Sequence, residues 1–220
     1  MPSILPEYVC HRAPGAIVID GCLNEAAWAS AETIELARNG DGVAPAQRTA
    51  CRLLWDDAFL YVAFECEDRY AWATMRERDA HLWEEEVVEV FIDANGNGRL
   101  YFEFEVNPLN TLLDLLVVKR LGRLPQPFFE WDCHGWESAV SVVGAVGAPE
   151  DGRNDWRVEM RIPLAEIYTA PHPPRPGDRW RLGLYRIDRP DGGLELSAWS
   201  PTYANTFHVP ERFGVLVFAE

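Results

Sequence analysis

The sequence predicts an all-β fold, two antiparallel sheets packed face to face, and three observations carry that prediction. Apolar and polar residues alternate with a period of two in about ten short segments, as in strands that turn one face to a core. The connections between them are short and rich in Gly, Asn, Asp and Pro, the composition of hairpin turns. Helical periodicity is confined to one or two short turns, so the βαβ rhythm of a parallel sheet is missing and a sandwich is the expected packing.

In chain order, residues 1–16 read as an extended lead-in and 17–19 as a short strand ending at the Asp20-Gly21 turn. Asn24 is placed to cap a helical turn over 25–29 with Trp28 on its inner side. Residues 50–55 and 59–67 form a hairpin about Asp56-Asp57, with Leu60, Val62 and Phe64 on one face. Residues 68–82 are a polar excursion, long enough to be a functional loop.

The stretch 82–107, LWEEEVVEVFIDANGNGRLYFEFEVN, organises the rest. Val88, Val90 and Ile92 share one face, opposite Val87, Glu89, Phe91 and Asp93. After a turn at 94–98 that supplies the positive-φ residues of a hairpin, Phe102, Phe104 and Val106 share a face opposite Tyr101, Glu103, Glu105 and Asn107. The apolar face belongs to the core, and the face with carboxylates and Asn107 is expected to meet solvent or ligand. Asp93-Ala-Asn95-Gly-Asn97-Gly98 matches the first half of a calcium loop, but Phe104 stands where the twelfth-position Glu belongs, so it reads as a plain turn.

Strands follow at 111–119 and 138–146, separated by an aromatic-rich, irregular loop at 121–136. Residues 155–162 alternate cleanly, with Trp156, Val158, Met160 and Ile162 inward, before Pro163 and one helical turn at LAEI. Strands at 179–188, 195–200 and 215–218 close the chain, and nothing in it resembles a linker, so one domain over 1–220 is expected.

With 48% hydrophobic residues the chain can bury a full core. A formal charge of −15 repels phosphates and anionic headgroups, which excludes nucleic acid and membrane surfaces as favoured partners. No apolar run reaches the length of a membrane span, and the first residues show no signal-peptide pattern, so a cytoplasmic location is expected. Five scattered cysteines without a CxxC pair indicate thiols in a reducing compartment, with a Cys51–Cys66 bridge left open. The five histidines lack metal-ligand spacing, so no cofactor is expected, a structural calcium ion remaining open.

Taken together, IDGCLNEAAW at 19–28, WDDAFLYVAFECED at 55–68 and LWEEEVVEVFID at 82–93 resemble, in that order, segments of the family 9 carbohydrate-binding modules. YFEFEVNP at 101–108, RWRLGLYRID at 179–188 and FHVPERFG at 207–214 complete the resemblance. It implies a distorted jelly roll of the immunoglobulin-like or DOMON-like kind and non-catalytic binding of a mono- or oligosaccharide. It also implies a ring held between two indoles, Trp83 and Trp199, with Glu89 and Asn107 as polar contacts. Glu105 and, from the alternation of the strand at 179–188, Arg186 are further candidate ligand contacts. In the best-known binders of that family the position two before Asn107 is basic, whereas this chain has Glu105, a departure that bears on ligand choice.

Those residue types suit the task on physical grounds. The C–H faces of a sugar are apolar and weakly positive, so an indole face attracts them, and carboxylates and amides bond vicinal hydroxyls. Two other readings stay open: a sandwich used for protein interaction, and a glycosidase with Glu89 and Glu105 as its two carboxylates. Arg186 also has a structural reading, since a buried arginine requires a carboxylate partner.

Overall fold

The computed structural model describes residues 4–120 and 122–220, and all their side chains except that of Asp191. Among the described residues the chain forms β1 (Glu7–Cys10), β2 (Ile34–Glu35), β3 (Ala37–Arg38), β4 (Thr49–Trp55) and β5 (Phe59–Cys66). Then come β6 (Val87–Asp93), β7 (Leu100–Val106), β8 (Leu112–Val118), β9 (Gln126–Phe128) and β10 (Glu137–Val142). β11 (Trp156–Pro163), β12 (Arg179–Asp188), β13 (Glu195–Ala198) and β14 (Gly214–Phe218) complete the series. The helical content is five single 3-10 turns.

The strands make two sheets. One runs β1-β14-β12-β6-β7-β8-β9, with β13 and then β3 branching from β12; the other runs β10-β11-β5-β4-β2. Every ladder is antiparallel except β1–β14, which is parallel and brings the first strand beside the last. Between the sheets lies the main core. Val88, Val90, Ile92, Phe102, Phe104 and Val106 meet Leu60, Val62, Phe64, Trp156, Val158 and Met160 there, the inward faces that alternation marks.

The outer faces are covered too. Segment 17–31 lays Ile17, Ala27 and Trp28 over Leu54, Tyr61 and Ala63 on the second sheet. On the first sheet Val87, Phe91, Tyr101, Leu113, Leu115, Val117, Tyr185 and Ile187 form a further apolar layer under Leu82, Phe207 and Phe213. The face expected to meet solvent is thus largely roofed by loops, which is why Glu89, Glu103 and Glu105 are all buried.

Local departures have physical reasons. Residues 17–19 form no ladder, because Ile17 is held by packing on the second sheet. Cys51 and Cys66 are unbridged: the β4–β5 register pairs Cys51 with Phe64 and Cys66 with Thr49. The 94–98 turn is closed by its own side chains, Asp93 accepting from the Gly96 (2.9 Å) and Gly98 (2.8 Å) amides.

Candidate functional site

The central pair of the first sheet sets the site's floor. β6 and β7 place Glu89 directly opposite Glu105, while β12 places Tyr185 on the other side of Glu89. Glu103 lies two residues before Glu105 and therefore on the same face. One carboxylate oxygen from each of Glu89, Glu103 and Glu105 lies within 4.8 Å of the others.

Over this floor is a cavity of about 490 Å³. Trp83 stands at its wall together with Pro125, Pro127, Leu196, Phe207 and His208. Trp83 sits in a 3-10 turn, Leu82–Glu84, anchored by the fully buried Leu82. Its indole stacks on His81, with ring centroids 4.5 Å apart, and leans on Phe129 at 6.1 Å. The 207–208 segment is held just as firmly. Phe207 stacks on Tyr185 at 4.3 Å, and His208 stacks on Phe91 at 5.2 Å, its Nδ1 meeting the Tyr101 hydroxyl at 2.8 Å.

The loop carrying Trp83 is pinned to the sheet by polar side chains. Glu85 accepts from the Thr74 (2.7 Å) and Met75 (3.1 Å) amides. The Met75 carbonyl accepts from the Asn107 side-chain amide (2.9 Å) and the Thr111 hydroxyl (2.7 Å). Asn107 also accepts from the Leu109 and Thr111 amides. It lies outside the cavity lining and braces the loop instead.

Two further predicted contacts are also placed elsewhere. Arg186 faces the interior side of β12, opposite in sense to Tyr185, and pairs with Asp68 (2.8 Å) and Asp188 (3.2 Å), both buried. It also donates to the Glu67 carbonyl and the Thr49 hydroxyl, the structural pairing that a buried guanidinium requires. Trp199 follows β13 with its ring turned to the main core, over Gly214. Trp83 packs against the outer layer, so the sheet separates the two indoles. The structure brings Trp83, Glu89 and Glu105 together and leaves Trp199, Asn107 and Arg186 apart from them.

Glu103, Phe207, His208 and Arg189 join the cavity without having been singled out. Glu103 was legible, since it shares its face with Glu105 two residues away; the others arrive from distant segments.

The electrostatics of the floor are unusual. Burial, then the neighbouring Glu103, pushes the Glu89 carboxyl well above the ordinary carboxylate range. Burial followed by Glu89 and Glu103 does the same to Glu105. Glu103 is pushed up to about 7 by burial, with the neighbouring Glu105 carboxyl working the other way. His208 is pushed down to about 4 by burial, with Lys119 adding to the effect, and is neutral near pH 7. A glycosidase needs two carboxyls pushed apart, one acid and one ionised. Here Glu89 and Glu105 are pushed the same way.

Two other acidic groupings occur among the described residues, Asp68–Glu86–Asp188 and Asp79–Asp114–Asp132. Each has an arginine in contact, Arg186 and Arg78 respectively, which supplies the balancing charge. No helix among the described residues is long and apolar enough to cross a membrane.

Residues 19–114 match the family model described as carbohydrate family 9 binding domain-like. Endo-1,4-beta-xylanase A of Thermotoga maritima is 34% identical over 102 residues, and its Thermotoga neapolitana counterpart 33%. These matches cover 44% of the chain and 9% of each xylanase, so the chain spans under a tenth of those relatives. Among solved structures, a Bacteroides uniformis protein assigned as carbohydrate-binding superposes with TM-score 0.73 at 18% identity, over 98% of both chains. A family 9 carbohydrate-binding module of Caldicellulosiruptor kristjanssonii, in complex with cellotriose, gives 0.66 at 17% identity, over 97% of this chain and 93% of that one. Residues 19–114 therefore match the carbohydrate family 9 binding domain-like model, and almost the whole chain has the fold of a family 9 carbohydrate-binding module.

Proposed function

We propose that the chain binds a saccharide without turning it over, in the cavity between Trp83 and the Glu89–Glu103–Glu105 floor. The observation that carries this reading is the pairing of a partly exposed indole with buried carboxylates at one apolar-walled cavity. Trp83 offers an apolar face to the C–H side of a sugar ring, and the glutamates offer acceptors or donors to its hydroxyls. The other walls are proline, aliphatic and aromatic side chains, not a second indole. The similar module of Caldicellulosiruptor kristjanssonii was solved with cellotriose and with glucose, which supports glucose-type rings as the first ligands to test.

The test is a Trp-fluorescence titration of the full chain against glucose, xylose and their disaccharides, beside Trp83→Ala. A saturable change is expected, and losing the indole is expected to weaken binding by about 1–3 kcal/mol, ten- to hundredfold. Saturable binding unaffected by Trp83→Ala would place the ligand elsewhere. No response to any sugar, from a folded protein, would move the reading to a sandwich used for protein interaction.

A further inference from the structure

The carboxylate floor is built to hold positive charge. We infer, resting on the saccharide reading above, that the cavity selects an amino sugar, whose ammonium sits among Glu89, Glu103 and Glu105.

The first ground is the state of the floor itself. Glu105 is fully buried, and neither of its oxygens accepts or makes a hydrogen bond in good geometry; Oε2 of Glu103 is likewise bare. The nearest polar neighbours of Glu105 are the other two carboxyls and the Trp83 backbone. A buried carboxylate without donors is costly to retain for stability alone. The chain shows elsewhere how it satisfies such groups. Glu159 takes the Trp28 indole N–H (2.8 Å) and the Gly21 (2.8 Å) and Asp20 (3.1 Å) amides.

The second ground is that the protein does not supply the missing charge. His208 is 3.9 Å from Glu103, but burial keeps it neutral and its Nδ1 is engaged with Tyr101. Arg189 also lines the cavity, but its guanidinium is held at the Glu84 carbonyl (2.7 Å), forms no ion pair with the three glutamates and is not among the groups that shift them. From β12, Tyr185 adds a hydroxyl, not a cation.

The third ground is shape. A primary ammonium has three tetrahedral donors, and acceptors about 2.8 Å from its nitrogen stand about 4.6 Å apart. That spacing fits three oxygens within 4.8 Å of one another. A bare calcium ion takes six to eight oxygens, whereas Leu115, Val117, Ile187 and Leu196 line the same cavity. Those walls suit the carbon frame of an organic cation. A neutral hydroxyl presents one polar hydrogen and no net charge, so it leaves the floor protonated.

The experiment is calorimetric titration of the full chain near neutral pH with four probes. These are the fully deacetylated chitosan disaccharide, its N-acetylated form, cellobiose, and ethylamine as an amine without a sugar. The amino disaccharide is expected to bind about tenfold or more tighter than cellobiose or the acetylated form. That advantage should shrink toward parity in Glu105→Gln and at about pH 5, where the protons that the ammonium must displace from the floor are held more tightly than near neutral pH. Circular dichroism reports whether the variant folds, and the wild-type preference is decisive even where it does not. Cellobiose binding as well as the amino sugar would overturn the inference and leave the saccharide reading standing. No sugar binding at all would overturn both. Ethylamine binding as tightly as the amino disaccharide would overturn the amino-sugar assignment, as would a preference that survives Glu105→Gln or requires added calcium.

Discussion

A buried carboxylate survives in a fold when something donates to it, and the acids of this chain divide on that point. Glu159 collects three donors from the 20–28 segment and so ties the outer cover to the second sheet. Glu159→Ala removes the acceptor of all three at once. A loss of about 2–4 kcal/mol is expected, read as a drop in denaturant midpoint with little change in slope. The floor glutamates have no such web, and that contrast is what separates a staple from a site. Part of it is legible in the sequence. Glu89, Glu103 and Glu105 fall on one face by alternation alone, and Trp83 lies off the core rhythm. What the sequence does not show is that the face is roofed, because Phe207 and His208 cover it from a hundred residues away.

At the scale of elements, alternation read the interior strands well and the edges poorly. The central strands at 87–106 and 156–162 have their inward residues as the period of two marks them. Pairing between β1 and β14 was not legible, since two short segments at opposite ends of the chain carry no local signal of their meeting. Trp199 lies apart from Trp83 for a related reason: its indole fills the space over Gly214, where an added Cβ would come within 2.4 Å of the ring. A glycine across from a tryptophan was the available hint, but only register reveals it. The same close approach occurs within β12, where a Cβ at Gly183 would meet the Tyr185 ring at 2.3 Å. Tyr185 has no slack, being packed on Phe91 at 5.0 Å and Phe207 at 4.3 Å. Gly183→Ala should therefore cost about 1–3 kcal/mol in thermal or chemical unfolding. It should also weaken ligand binding by shifting Phe207, whereas a purely local strain would leave the titration unchanged.

Across the whole molecule, the charge pattern makes stability depend on pH in a direction opposite to that of many acidic proteins. Burial raises the carboxyls of Glu89, Glu103 and Glu105, Glu103 to about 7, and Glu86 to about 8. In the unfolded chain such groups lose their protons near pH 4.3. Between those limits the folded state holds more protons than the unfolded one, so stability falls as pH rises, by up to about 1.4 kcal/mol per pH unit for each such group. Their contribution is complete below about pH 4 and is lost as pH passes the folded values. Self-repulsion at a formal charge of −15 acts in the same sense. Asp41, Glu85 and Glu211, held below the usual range, act only at lower pH, and His208, held down to about 4, opposes the trend as one group against these four raised carboxyls. Melting temperature without ligand is therefore expected to be higher at about pH 5.5 than at about pH 8. In Glu105→Gln, which needs no proton to stay neutral, the slope should flatten. A melting temperature that rises steadily from the lower to the higher pH would show that the floor glutamates are ionised in the folded protein. Their charge would then need a permanent internal partner, and the ammonium of a ligand would have nothing left to neutralise.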